Sequence, residues 1–107
     1  SGEEIFNYYK KNRPKIDCII TFNEMTGLGF LSTAIRNNIK IPKDLGIASI
    51  GNAEVSNLLD FKITTVNTNQ YEMGKIAAIK LIDRINNVPF KARIFDVGIS
   101  IVKGFSL

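Results

Sequence analysis

Residues 16–25, IDCIITFNEM, constrain the fold more than any other stretch: an apolar run without alternation ends abruptly in an amide and a carboxylate. A half-buried strand alternates apolar and polar positions, whereas a strand covered on both faces reads as a nearly continuous apolar run. Residues 16–22 therefore predict a strand buried on both faces, with Cys18 as a small core residue inside it. Asn23 stands where an N-cap belongs. Glu24 in the first turn suits the positive end of a helix, which the spacing carries to about Asn38. A buried strand leading straight into a helix is the opening of a βαβ unit.

The same order recurs along the chain. Residues 3–11 have helical spacing, with Ile5, Phe6 and Tyr9 on one side, and Arg13-Pro14 ends them. Asn37-Asn38 closes the second helix and Pro42 blocks its continuation. LGIASIG then reads as a short buried strand, and NAEVSNLLD as a loop with one helical turn. That loop leaves Leu58, Leu59 and Phe61 without a local core. KITTV, rich in β-branched residues, predicts a third strand. A long helix follows from about Tyr71 to Asn86, with Gly74, Ala77, Ala78, Leu81, Ile82 and Ile85 on one face. A mid-helix glycine costs about 1 kcal/mol relative to alanine, so Gly74 predicts close packing against a neighbour. NNVP ends that helix, and ARIFDV and ISIVKG predict two more short strands. Strand–helix alternation of this kind gives right-handed crossovers, a parallel sheet and helices on both of its faces. Three or four short strands and three helices are too few to close such a sheet, so the chain reads as a piece of a larger domain.

The second helix carries two apolar stripes. Gly27, Phe30, Leu31 and Ala34 form one; Met25, Leu28, Ser32 and Ile35 form another, displaced by roughly a quarter turn or more. One stripe suffices to cover a sheet. Two imply burial on two sides, against another part of the domain or against another subunit.

Composition narrows the function classes. At 107 residues the chain is at most one ordinary domain, and 45% hydrophobic with 22% charged residues is globular. Its apolar runs fall short of the roughly 20 residues a membrane helix needs, and its first residues carry no apolar core of signal-peptide type. The net charge is +4; Lys10, Lys11, Arg13 and Lys15 read as the solvated end of a helix and not as a nucleic-acid surface. A single cysteine precludes an internal disulfide and fits a cytoplasmic location. There is no histidine, which removes the commonest general base and metal ligand. With no CxxC, phosphate-binding glycine loop or carboxylate cluster, the sequence offers no catalytic residue, cofactor site or metal site.

In open α/β sheets, ligands collect outside the carboxyl ends of the strands. Asn23-Glu24 follows one strand end and Gly51-Asn52 the next, so both loops are expected at one crevice. Each asparagine donates and accepts while Glu24 accepts, a set suited to neutral polyhydroxy compounds or purine-like edges. The same asparagines also have plain structural uses, as an N-cap and as a turn former.

Three marks in this order carry a resemblance: FNE at residues 22–24, IPKDLGIASIG at 41–51, and ITTVNTNQYEMGKIAA at 63–78. Together with ISIVKG near the end, they resemble the C-terminal half of regulators of the lactose-repressor and purine-repressor (LacI/GalR-type) family. There the marks read Phe-Asn-Asp, a Val-Pro-Glu-Asp stretch entering a strand, and Leu-Thr-Thr-Val before a Gly-Ala helix. The resemblance implies the two-lobed fold of periplasmic sugar-binding proteins, of which this chain is a fragment, with a DNA-binding head elsewhere in the full protein. It places residues 1–66 and 98–107 in the C-terminal lobe and residues 70–96 in the N-terminal lobe. The interlobe hinge then falls at Val66, Asn67, Thr68, Asp96 and Val97.

The resemblance further implies that Asn23, Glu24, Gly51 and Asn52 border the effector cleft, Asn23 binding the effector and Glu24 capping or supporting the helix. The sugar-binding members carry Gly-aromatic-Asp-Asp where this chain has Ser49, Ile50, Gly51 and Asn52. A carboxylate clamp on sugar hydroxyls is therefore missing at Gly51. Met25, Leu28, Ser32, Leu58 and Leu59 match the homodimer contact. The implied function is that of a bacterial transcriptional regulator, a repressor in which a sugar, sugar derivative or purine-like effector changes operator affinity by hinge closure. Operator DNA would be met only through the absent head, with no membrane involvement. The leading alternative is a periplasmic sugar-binding protein of a transport system; half of a doubly wound enzyme, or an interaction module built on Leu58, Leu59 and Phe61, ranks behind it.

Overall fold

In a computed structural model, residues 1–12, 14–51, 62–89 and 92–107 are described. The first helix, α1, is Gly2–Asn12; Phe6 is fully buried and Tyr9 half-buried, while Ile5 stays at the surface. Strand β1, Cys18–Thr21, leads into α2, Glu24–Arg36. Strands β2, Gly46–Gly51, and β3, Thr64–Asn67, come next, then α3, Gln70–Ile85, and β4, Ser100–Val102. The strands lie side by side in the order β1-β2-β3-β4. The first three are parallel, with Thr21 opposite Ser49 and Gly51 opposite Asn67. β4 runs antiparallel to β3, so the sheet is mixed at that edge.

The helix ends follow from their sequences. Asn38 adopts a left-handed conformation (φ 60°), its N–H bonds the Ile35 carbonyl and the Ile39 N–H bonds that of Ala34. This is the Schellman pattern, with asparagine where glycine is commonest. α3 ends the same way: Asn87 has φ 56°, its N–H meets Arg84 O, and Val88 N–H meets Asp83 O. Two Asn-Asn pairs, each followed by a β-branched residue, stop two helices by one mechanism.

The core lies between the sheet and the α1–α2 pair. Phe6, Phe30, Leu31, Ala34, Leu45, Ile47 and Ile63 form one buried cluster. Phe30 meets Phe6 edge-on at 5.4 Å and Tyr9 at 6.0 Å between ring centroids. Gly27, Phe30, Leu31 and Ala34, the first stripe of α2, are all buried.

The C-terminal residues seal the sheet at the beginnings of β2 and β3. The Ser106 hydroxyl accepts from Thr64 N–H at 2.9 Å and donates to the Ile47 carbonyl at 2.6 Å, while Ile47 N–H bonds Ser106 O at 2.8 Å. Phe105 N–H reaches Lys62 O, and Gly104 N–H reaches Thr64 Oγ1 at 3.0 Å. Gly104 lies so near the Lys62–Ile63 backbone that a Cβ there would strike the Lys62 carbonyl. Only glycine fits.

Four expectations are corrected. β1 is an edge strand, and only the face holding Ile19 and Thr21 is covered; Cys18 is exposed and Ile20 is 70% exposed. Among the described residues, no helix lies on the face that also bears Ile50 and Ile101, so its apolar residues meet water. Residues 92–97 form no strand: they find no ladder partner, and Phe95 instead lies under the Lys80 ammonium, 5.4 Å from the ring centroid. Finally, no residue of α3 is buried, and nothing described lies within 4 Å of a Cβ placed on Gly74. The expected amphipathic face exists in sequence but has no cover here. The chain is accordingly elongated, 58 × 26 × 18 Å, with a radius of gyration of 18.0 Å, against about 13 Å for a compact domain of this length.

Candidate functional site

The carboxyl ends of β1, β2 and β3 share one rim because the three strands are parallel and in register. Asn23 directly follows β1 in extended conformation, and its side-chain oxygen accepts the Thr26 N–H at 2.8 Å, making it the N-cap of α2. With that oxygen committed to the cap, the amide NH₂ is the group Asn23 can offer a ligand. Thr21 Oγ donates to the Asn23 carbonyl at 2.9 Å, tying the loop to the strand it leaves.

Gly51, at the end of β2, sits against this turn. A Cβ on Gly51 would lie 3.6 Å from Glu24 N and 4.0 Å from Asn23 Cα. Its φ of 151° is a conformation side chains rarely adopt. Glu24 is buried beneath the rim, in the first turn of α2, where a helix N-terminus favours a negative group. Below, Ser49 Oγ donates to Thr65 Oγ1 at 2.7 Å and Thr65 Oγ1 donates to Ser49 O at 3.0 Å, locking β2 to β3. Thr68 N–H reaches the Gly51 carbonyl at 3.3 Å, so the third strand end joins the first two. The structure thus brings together Asn23, Glu24, Gly51 and Thr68; Asn52 lies outside the described residues.

Of the second α2 stripe, Met25 (66% exposed), Ser32 and Ile35 lie open, and Leu28 is half-buried against the core. Leu58 and Leu59 lie outside the described residues. Val66, Asn67, Thr68 and Val97 are half-buried and Asp96 is exposed. The two segments they belong to run side by side. Asn69 and Gly98, which bound the two segments expected to cross between lobes, join them directly: the Asn69 amide nitrogen donates to Val97 O at 2.9 Å and to Gly98 O at 3.1 Å. The signal for Asn69 was present as an asparagine at the helix entry, but its partner lies 28 residues away. Among the described residues, no group of three or more His, Cys, Asp or Glu side chains could hold a metal, and no helix is long and apolar enough to cross a membrane.

The chain belongs to the periplasmic-binding-protein-like family: the model for the periplasmic binding protein-like domain matches residues 3–107. Within the family its relatives are regulators. It is 24% identical over 107 residues, all of this chain, to the HTH-type transcriptional regulator GntR of Escherichia coli (strain K12). It is 29% identical over 84 residues, 78% of this chain, to the HTH-type transcriptional repressor PurR of Vibrio parahaemolyticus. A LacI-type transcription regulator from Bifidobacterium animalis subsp. lactis superposes with a TM-score of 0.89 at 23% identity, covering 99% of this chain and 38% of that one. The chain spans 32% and 25% of the length of those two sequence relatives.

Proposed function

We propose that this chain is the effector-binding and dimerisation part of a cytoplasmic bacterial transcriptional regulator and not an enzyme, with a small molecule bound between two lobes. The observation that carries the reading is the convergence of Asn23, Gly51 and Thr68 on one rim beside the paired crossings. The strands described within residues 1–67 and 98–107 form one sheet, while α3 buries nothing against it; this supports assigning residues 70–96 to a second lobe and residues 66–69 and 96–98 to the hinge. The matched relatives bear regulator names, which favours this reading over a transport protein. Effector binding would bias the interlobe angle, and a coupling of about 1–3 kcal/mol would change operator affinity roughly 5–150-fold through a DNA-binding head outside this chain.

A sugar, sugar derivative or purine-like compound fits the rim, with Asn23 as amide donor and Glu24 as buried support. One superposing regulator, from Arthrobacter, was solved in complex with lactose. Gly51 supplies no carboxylate, so the ligand is held by amides and backbone and not by a bidentate acid. A thermal-shift screen of the intact protein with sugars, sugar phosphates and purines tests this. A ligand at 100 times its dissociation constant adds about 2.7 kcal/mol. Asn23→Ser retains the cap oxygen but removes the amide donor, and is expected to abolish that gain. An undiminished gain in the variant moves the site elsewhere.

The second stripe of α2 supports a two-fold homodimer through Met25, Leu28 and Ser32, with Leu58 and Leu59 as further expected contacts. Leu28→Lys is expected to give monomers in sedimentation velocity of the intact protein. An unchanged dimer removes this face from consideration.

A further inference from the structure

We infer that Asn69 is the positioning residue of the interlobe joint, a stitch that makes the two crossings turn as one; this rests on the two-lobed reading above. Each crossing carries its own tight turn. Asn67 Oδ1 accepts the Asn69 N–H at 3.0 Å, and Asp96 Oδ1 accepts the Gly98 N–H at 2.7 Å. These are Asx turns, in which a short side chain bonds the backbone two residues on. Both end on a residue with positive φ, 50° at Asn69 and 68° at Gly98. Asparagine and glycine are the residues that tolerate that region.

The two turns are joined by one side chain. The Asn69 amide nitrogen donates to both Val97 O and Gly98 O. A hinge absorbs its motion in the φ/ψ angles of a few residues at element ends. With independent crossings, each could rotate separately and the lobes would sample many angles. With Asn69 bonded across, a rotation of one crossing drags the other, and the joint keeps a single axis. Asn69 also stands at the entry of α3, where its own side chain makes no cap bond. Its side chain serves the neighbouring crossing in place of its own helix.

The test uses the intact protein with Cys18→Ser, spin-labelled at Lys43→Cys beside the sheet and Lys75→Cys on α3, and diluted with unlabelled protein so that only distances within one subunit are read. Pulsed dipolar spectroscopy is expected to give one narrow distance peak. Asn69→Gly, which keeps the positive φ but removes the stitch, and Asn69→Asp, which turns a donor into an acceptor facing two carbonyls, are both expected to lose that peak to a broad distribution. A lowered melting temperature with the peak unchanged in both variants overturns the inference, because a merely structural asparagine would behave that way. Gly98→Pro, which cannot adopt a φ of 68°, separates the two levels. If it broadens the peak while the Asn69 variants do not, only the stitch falls. If none of the three variants moves the peak, the joint itself is absent and the two-lobed reading falls with it.

Discussion

Phe30→Ala is expected to destabilise the sheet unit by about 3–5 kcal/mol, the range for removing a fully buried aromatic ring from a packed core. Phe30 has no exposed surface and is the ring on which two of the three α1 aromatics lean, Phe6 at 5.4 Å and Tyr9 at 6.0 Å. Truncation therefore leaves a cavity at the aromatic centre of the α1–α2 contact. Two edge-to-face contacts, each worth about 0.5–1.5 kcal/mol beyond area burial, go with it. Domains of this kind are stable by only about 5–15 kcal/mol, so urea unfolding of the intact protein should show a large fall in midpoint. A fall under about 1 kcal/mol would mean that the cluster collapses around the gap or is not the core.

Ser106→Ala carries the second large expectation. The Ser106 hydroxyl is buried between β2 and β3, accepting from Thr64 N–H and donating to Ile47 O. Alanine fills nearly the same space but supplies neither bond. A buried polar group left unsatisfied costs about 1–3 kcal/mol, and two groups are affected. Ser106→Thr retains the hydroxyl and serves as the comparison: if the alanine and threonine variants unfold at one midpoint, the hydroxyl contributes nothing.

Much of the fold was legible because local chemistry dictated it. The amide at Asn23, the Asn-Asn pairs and the β-branched run before Asn67 each specify a boundary without reference to anything distant. The convergence of Asn23 and Gly51 followed from parallel pairing alone. What the sequence could not show was which apolar faces would be covered. Ile20, in an unbroken apolar run, and Leu81, on a periodic helical face, look like core residues, yet both stand open here, because burial depends on which partner arrives. ARIFDV has strand-like composition but no ladder to join. The bonds of Ser106 and Asn69 were not legible for a related reason: each acts on residues far along the chain, Ser106 across 59 positions and Asn69 across 28 and 29, and no local pattern announces such partners.

The long reach of Ser106 bears on how the molecule is made. Chains emerge from the ribosome amino end first and fold as their partners become available. β1, α2, β2 and β3 are synthesised early, but the seam at the foot of β2 and β3 waits for residues that follow α3. Until residue 106 is out, Ile47 and Thr64 present unpaired backbone groups that a neighbouring nascent chain could capture. Contacts so distant along the chain also form slowly, which makes residues 104–106 the gatekeepers of a sheet whose strands are made before them.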